Sequence, residues 1–329
     1  MRHWFIRCIL ILLCLIALPF NSPAPLIYRA DEGWIYEPVG GGKWRRTRAK
    51  DQLEVAQAAF DKKDYSLALK ASRRTVSTWP LSDYAPKAQY LIGRAYEEKH
   101  QDEKAFKQYQ KLIEKYPKSE SYAEVLQRQF TIANRFLAGQ WFKLWGYVPF
   151  FPNMDKTAEM YEKIIKNGAY SEVGPKAQMN IGAAREKKSD YPAAVRAYAV
   201  AADRYHDQKT VAADAVYKQG LAYQRQAKKA EYDQSVAGQA ITTFNDFITM
   251  FPEDPRVTEA QKQISSLKVE QARGSFMVAK FYEKKKRWDG ALVYYSEVLL
   301  KDPTSKFAEE AKQRIETIKQ RTAKAAPPK

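Results

Sequence analysis

The chain has 329 residues, a formal net charge of +17, two cysteines and three histidines. Its 45% of hydrophobic and 28% of charged residues are ordinary for a folded protein with a core of its own. Both cysteines lie in the N-terminal apolar segment and the histidines lack a metal-type spacing, so we expect no metal and no cofactor. The basic surplus favours an anionic partner, but no nucleic-acid recognition motif accompanies it, and we expect no nucleic acid.

The first 30 residues resemble an export signal. Residues 1–7 are basic, and residues 8–20 form an apolar run of 13 residues, which fits a signal peptide and is short for a membrane span. We predict that residues 1–30 are a signal peptide or an uncleaved N-terminal anchor, and that the protein is exported. Cys14 follows Ile-Leu-Leu rather than the small residues of a lipoprotein signal, so we expect no lipidation.

Residues 31–50 form a short segment rich in glycine and cations. Its Gly-Gly-Gly-Lys run differs from a phosphate-binding loop, because Glu37 and Trp44 stand where that motif requires glycine and Ser or Thr. We interpret residues 31–50 as a flexible basic leader. Near an anionic membrane surface, each of its cations would contribute about 1 kcal/mol of binding. These cations are Lys43, Arg45, Arg46, Arg48 and Lys50.

Residues 51–318 carry a pattern with a spacing of twelve. A small residue precedes an alanine by twelve positions in the pairs Ala56 and Ala68, Gly93 and Ala105, Gly182 and Ala194, and Ala279 and Ala291. Twelve positions after Ala68, Ala105, Ala240 and Ala291 comes a proline, at Pro80, Pro117, Pro252 and Pro303, whereas Ala194 is followed at this distance by His206 in a turn-like stretch. Self-similarity at a fixed interval indicates stacked helix pairs, and proline disfavours helix at the preceding residue. We therefore predict that a helix ends before each of these prolines.

This order of small residue, aromatic, alanine, aromatic and proline resembles the tetratricopeptide repeat. Six copies can be traced by the small residue of the first helix: Ala56, Gly93, Ala133, Gly182, Gly220 and Ala279. The matching alanines of the return helix are Ala68, Ala105, Ala158, Ala194, Ala240 and Ala291. The resemblance implies an all-α fold, a right-handed α-solenoid of about six helix pairs over residues 51–318. We expect residues 319–329 to be a disordered tail.

A narrower resemblance connects the C-terminal part of the array to BamD-like (ComL-like) outer-membrane assembly factors. It rests on residues 244–252, 260–268, 278–282 and 287–291, and on the join at residues 116–123. That family implies a non-catalytic periplasmic scaffold of the machinery that inserts β-barrels into the outer membrane. The implied partners are the barrel-assembly outer-membrane protein, held by the C-terminal repeats where Arg287 and Trp288 lie, and unfolded barrel precursors, met by the N-terminal ones.

First-helix residues beside the small position are expected to line the concave face of such an array. They mix aromatic and polar groups, which suits an extended peptide. The candidates are Gln57, Tyr90, Arg94, Phe130, Asn134, Met179 and Tyr217. The alternative is that the aromatic candidates Tyr90 and Phe130 only complete the core.

An aromatic insertion at residues 140–153 interrupts the third repeat. Six of its 14 residues are aromatic, and Gly146, Pro149 and Pro152 prevent one continuous helix. A loop this apolar either packs back on the array or is covered by something else. In the second case its large rings contact a partner or the membrane interface, where such rings are favoured. These rings are Trp141, Trp145, Phe150 and Phe151.

Three functions remain open from the sequence. The first is the barrel-assembly scaffold, in the periplasm at the outer membrane. The second is another envelope scaffold, for cell division or polysaccharide export. The third is an enzyme such as a peptidoglycan-cleaving protein, but no residues remain for a catalytic module once six repeats are allotted, and we expect no enzyme.

Overall fold

The computed structural model describes residues 26–29, 33–36, 44–144, 148–229 and 234–325. Two short hairpins are present, β1 (Leu26–Arg29) with β2 (Gly33–Tyr36) and β3 (Phe142–Leu144) with β4 (Val148–Phe151). The helices of the described residues are α1 (Ala49–Asp61), α2 (Tyr65–Thr78), α3 (Tyr84–Glu98), α4 (Asp102–Lys115), α5 (Tyr122–Leu137), α6 (Met154–Gly168), α7 (Gly174–Lys187), α8 (Tyr191–Arg204), α9 (Lys209–Lys229), α10 (Gln234–Met250), α11 (Val257–Lys284), α12 (Trp288–Lys301) and α13 (Lys306–Ala325).

Helices pack in chain order as the pairs α1 with α2, α3 with α4, α7 with α8, α9 with α10 and α11 with α12, and α13 packs on the last pair. Between α5 and α6, Phe130 packs on the ring of Tyr161. This confirms the predicted all-α helical repeat solenoid, to which the two hairpins are short additions. The chain divides into two compact units between Val125 and Leu126, within α5.

The helix ends follow the prolines. Helices α2, α4, α10 and α12 each end two residues before one of the four prolines that the spacing singled out. Proline disfavours helical geometry at the residue before it and lacks the N–H that would continue the helix. The predicted ends are therefore confirmed.

Close contact within a pair depends on the small residue of its first helix. A Cβ on Gly93 would lie 2.3 Å from the ring of Tyr109, and a Cβ on Gly182 would lie 2.4 Å from the ring of Tyr198. The aromatic ring of the return helix thus occupies the space that a side chain would need. The return-helix alanines are fully buried at the same interface: Ala68, Ala105, Ala158, Ala194, Ala240 and Ala291.

A hydrogen bond recurs beside this contact. The hydroxyl of Tyr109 donates to Glu97 at 2.9 Å, and that of Tyr198 donates to Glu186 at 3.3 Å. In the last pair Tyr295 donates to Glu283 at 2.6 Å. In each case the glutamate follows the small residue by four positions, so the bond ties the return helix to the end of the first helix.

Helix α11 belongs to two cores at once. Its residues 260–267 pack in a cluster that contains Phe244, and its residues 272–279 pack in another that contains Tyr295. The 28-residue helix therefore completes the fifth pair and begins the sixth. Met277 and Phe281, on the second half, remain 55% and 58% exposed.

The ends of the array differ from expectation where they are described. The buried side chain of Gln52 donates to the carbonyl of Trp44 and accepts from the N–H of Arg46, which fixes the last part of the predicted flexible leader on α1. At the other end α13 continues to Ala325, because Ile318 is buried in the core of the last pair. Residues 319–325 are therefore helical rather than a disordered tail.

Several other predictions concern residues outside the described ones. These are most of the signal or anchor segment, the glycine-rich part of the leader and the last four residues of the chain.

Candidate functional site

An open groove of about 430 Å³ lies in the second unit, between α7, α9 and the residue preceding α11. Its lining combines cations, a carboxylate, an amide and apolar side chains. These residues are Pro175, Lys176, Met179, Asn180, Thr210, Val211, Asp214, Lys218 and Arg256.

The polar lining follows a simple register. Lys176 and Asn180 lie six and two positions before the small residue of α7, and Asp214 and Lys218 lie six and two positions before that of α9. Residues four apart share one face of a helix, so each helix presents a polar pair to the groove. The ammonium of Lys218 contacts Asp214 at 3.1 Å.

Arg256 closes one side of this groove. Its guanidinium donates to Asp254 and to Asp214, at 2.9 and 2.8 Å, and lies 4.9 Å from the ring centre of Tyr217. The hydrogen bond from Arg256 lowers the pKa of Asp254 below its ordinary value, because it stabilises the carboxylate. The wall is therefore an ion-pair network backed by an aromatic ring.

A neutral hydrogen-bond cluster adjoins the groove at Asn180. Tyr161 donates to the side-chain oxygen of Asn134 at 2.6 Å, and Asn180 donates to the same oxygen at 2.9 Å. Burial raises the pKa of Tyr161, so this phenol stays protonated and remains a donor. Asn134, which the sequence proposed for the groove, thus positions the groove residue Asn180.

Two other groove candidates of the second unit are packed. Met179 lines the groove and is buried, and Phe130 is buried against the ring of Tyr161, with ring centres 5.9 Å apart. Tyr217 is half-buried and lies under Arg256.

The candidates of the first unit form a separate set. Tyr90 donates to Glu124 of α5, while the guanidinium of Arg94 lies 5.5 Å from the ring centre of Phe60. Arg94 also donates to the hydroxyl of Tyr90 at 3.4 Å. Tyr90 and Arg94 therefore connect α1, α3 and α5, whereas Gln57 is exposed and bonds within its own helix.

The aromatic insertion forms the hairpin of β3 and β4. Phe142 is buried and stacks on Phe136 with ring centres 4.2 Å apart, so one ring of the insertion packs back on the array. Trp141 is 52% and Phe151 is 44% exposed. Trp145 and the side chain of Phe150 lie outside the described residues, and the proposed contact of these rings with a partner stays a prediction.

Arg287 and Trp288 have different surroundings. Arg287 is exposed at the turn before α12. Trp288 is half-buried and lies beneath Arg321 of α13, with the guanidinium 4.7 Å from the ring centre. Arg287 is therefore accessible to a partner, whereas Trp288 also contributes to packing. Their role in holding a partner stays a prediction.

Two negative findings apply to the described part of the chain. No group of His, Cys, Asp and Glu side chains there could hold a metal ion. No helix there is both long and apolar enough to cross a membrane.

Sequence reasoning missed Lys176, Asn180, Asp214, Lys218 and Arg256. It considered the positions three before and one after the small residue, whereas the polar side chains of α7 and α9 that line the groove lie mainly two and six positions before it. The sequence did contain a signal for four of them, because α7 and α9 each have two polar residues four positions apart. Arg256 lies in a turn and had no such signal.

Two family models match the chain. The model described as an outer membrane lipoprotein, YfiO, matches residues 153–302, which span α6 to α12. A tetratricopeptide-repeat model matches residues 87–119, within α3 and α4 and the turn after them. Both are families of non-catalytic protein-interaction scaffolds, which agrees with the expected absence of catalysis and supports a protein-binding role. No curated protein sequence matches the chain.

Several solved structures are similar. The C-terminal part of a TPR repeat-containing protein from Cytophaga hutchinsonii is 17% identical, covers 81% of this chain and 88% of its own, and has a TM-score of 0.35. A tetratricopeptide repeat protein from Parabacteroides merdae is 11% identical, with coverages of 82% and 98% and a TM-score of 0.33. YrrB, a TPR protein with an unusual peptide-binding site, is 15% identical, with coverages of 65% and 92% and a TM-score of 0.33.

Proposed function

We propose that this tetratricopeptide-repeat protein is a non-catalytic periplasmic scaffold of the outer-membrane β-barrel assembly machinery. It binds unfolded barrel precursor segments and the membrane-embedded barrel-assembly subunit, and residues 1–30 direct its export. One observation carries the proposal. The residues that match the outer membrane lipoprotein model, 153–302, include every residue that lines the groove between α7, α9 and Arg256.

The chemistry of this groove suits an extended peptide. Lys176, Asn180 and Asp214 offer donors and an acceptor to a peptide backbone, while Met179 and Val211 offer apolar contacts. Side chains of an extended segment alternate between two faces, and a barrel strand alternates apolar and polar residues. Such a segment can place its apolar residues on the groove and its polar residues toward water.

A steric block of the groove tests this binding mode. Thr210 lines the groove and is exposed, so Thr210→Trp fills the groove without entering the core. Lys209→Trp, one position earlier and outside the lining, is the matched control. We expect Thr210→Trp to weaken binding of a ten-residue peptide of alternating apolar and polar residues at least about tenfold, measured by fluorescence anisotropy. Equal affinities for the two variants would contradict the groove as the binding site.

Identity of the partner needs a separate measurement. We expect a pull-down from envelope extract with the full chain to recover a barrel-assembly subunit, identified by mass spectrometry, and Thr210→Trp to lower the yield of precursors bound with it. Recovery of cell-division or polysaccharide-export proteins in its place would contradict the barrel-assembly role and support the alternative function as a scaffold for those systems.

A further inference from the structure

Four of the helix pairs are joined by turns of the same geometry. The turns occupy residues 61–64, 98–101, 187–190 and 284–287. Their third residue has a left-handed backbone in every case, with φ of 61°, 52°, 62° and 57° at Lys63, His100, Ser189 and Lys286. Because the backbone is the same, differences in side-chain chemistry between the turns are not required by the turn itself.

The last turn differs from the others in charge. The first turn is Asp-Lys-Lys-Asp and the second is Glu-Lys-His-Gln, so that each is neutral with an uncharged histidine. The third, Lys-Lys-Ser-Asp, carries one net positive charge. The fourth consists of Lys284, Lys285, Lys286 and Arg287 and carries four; we refer to it as the basic turn.

The basic turn also lacks a helix cap that the first and third turns have. Asp64 and Asp190 accept a hydrogen bond from the backbone N–H of Leu67 and Ala193, at 3.0 and 3.2 Å, and so cap the following helix. Arg287 occupies the same position before α12 and makes no such bond. A cation there is also unfavourable to the helix dipole. A cation at a position where two other turns have a capping carboxylate is a local departure of the kind that is found at functional sites.

The four cations are all exposed, and none of them forms an ion pair with another described residue. An apolar stripe leads up to them on α11. Phe281, one helical turn before Lys285, accepts the N–H of Lys285 through its carbonyl, and Met277 lies one turn earlier. Both side chains are more than half exposed. Unpaired cations therefore stand beside an accessible ring and thioether.

We propose that the basic turn, together with Phe281 and Met277, docks on a membrane surface of anionic phospholipid headgroups. Clustered Lys and Arg attract the lipid phosphates, and an adjacent exposed aromatic side chain is favoured at the boundary between headgroups and acyl chains. This surface is separate from the groove of α7 and α9. The protein thus meets a lipid surface and an extended peptide through different residues.

Vesicle sedimentation of the full chain tests this proposal. Partition coefficients are measured on phosphatidylcholine vesicles with and without phosphatidylglycerol, and the readout is their ratio. The N-terminal apolar segment contributes to binding of both vesicle types, so its contribution cancels in the ratio. Lys284→Asp with Arg287→Asp converts the basic turn into the Asp-Lys-Lys-Asp sequence of the first turn. Lys107→Glu with Lys111→Glu, at two exposed positions of α4, changes the net charge equally and serves as the control.

Each unit of positive charge at an anionic surface strengthens binding about fivefold. We therefore expect the turn variant to lower the ratio at least about a hundredfold and the control variant to lower it less than about fivefold. An unchanged ratio, or equal losses in both variants, overturns the proposal. The proposal is also overturned if the turn variant leaves the ratio unchanged but no longer recovers the barrel-assembly subunit in a pull-down. That result would indicate that the basic turn binds an acidic protein. If the turn variant does not fold, Lys285→Gln with Lys286→Asn keeps the helix ends and is expected to lower the ratio about 25-fold.

Discussion

The second and the sixth helix pairs share their interior and differ outside it. Both place a small residue against the tyrosine of the return helix, and in both that tyrosine donates to a glutamate of the first helix. Yet α3 packs on α2 of the preceding pair, whereas the first half of α11 packs in the core of the preceding pair and Phe281 remains exposed. Packing inside a pair therefore fixes the residue types, while neighbouring pairs and turns are free to diverge.

The largest expected effect on stability comes from the small residue of the first helix, which is glycine in the second pair and alanine in the sixth. Gly93 leaves no room for a Cβ against Tyr109, whereas the sixth pair accommodates Ala279 opposite Tyr295. We expect Gly93→Ala to lower the free energy of unfolding by about 2 kcal/mol in urea denaturation, because the ring must move. Gly238→Ala is the control: its nearest atom would be 3.8 Å away, and the better helix former should raise stability by about 0.5–1 kcal/mol. Equal effects at both positions would contradict close packing at Gly93.

The recurring tyrosine–glutamate bond is expected to contribute equally in both pairs. Tyr109→Phe and Tyr295→Phe each remove a hydrogen bond to a carboxylate, which should lower the free energy of unfolding by about 1.5 kcal/mol. Tyr282→Phe keeps the ring that stacks on Tyr294 and is expected to change little. Chemical denaturation of the three variants measures the difference. If Tyr109→Phe lowered the free energy of unfolding and Tyr295→Phe did not, the same hydrogen-bond geometry would contribute differently to stability in the two pairs.

The missing cap of the sixth pair gives a smaller effect with the opposite sign. Arg287→Asp restores the side chain that caps α2 and α8, and we expect it to raise the free energy of unfolding by about 1 kcal/mol while it weakens vesicle binding. Asp64→Ala should lower stability by a similar amount. Thermal unfolding followed by circular dichroism measures both. If Arg287→Asp were destabilising, Arg287 would have a structural role in its turn.

The smallest effect concerns acid stability near the groove. Arg256 lowers the pKa of Asp254 below its ordinary value of 3.8 in the folded state. The folded carboxylate therefore binds protons less readily than the unfolded one, so its contribution is complete above that value and is lost as the pH falls through the folded pKa. We expect stability to fall more steeply below about pH 4 in the natural protein than in Asp254→Asn. Parallel pH profiles would show that this pair adds nothing.

The sequence by itself determined the repeat array and the position of its helix pairs. Glycine and alanine at a spacing of twelve identify the close contacts, because only small residues allow an aromatic ring such as Tyr109 or Tyr198 to sit against the facing helix. Prolines identify the helix ends, because their effect on the backbone is local. Such signals depend on residues close in the chain, and a single sequence contains them.

The tertiary structure decided where the functional surfaces lie. The groove depends on Lys176, Asp214 and Arg256, which are far apart in sequence and meet only when α7, α9 and the turn before α11 pack together. The accessible stripe of Phe281 depends on α11 serving two cores, which no local pattern predicts. Which face of a helix is buried is set by its neighbours, and these are known only once the helices have packed.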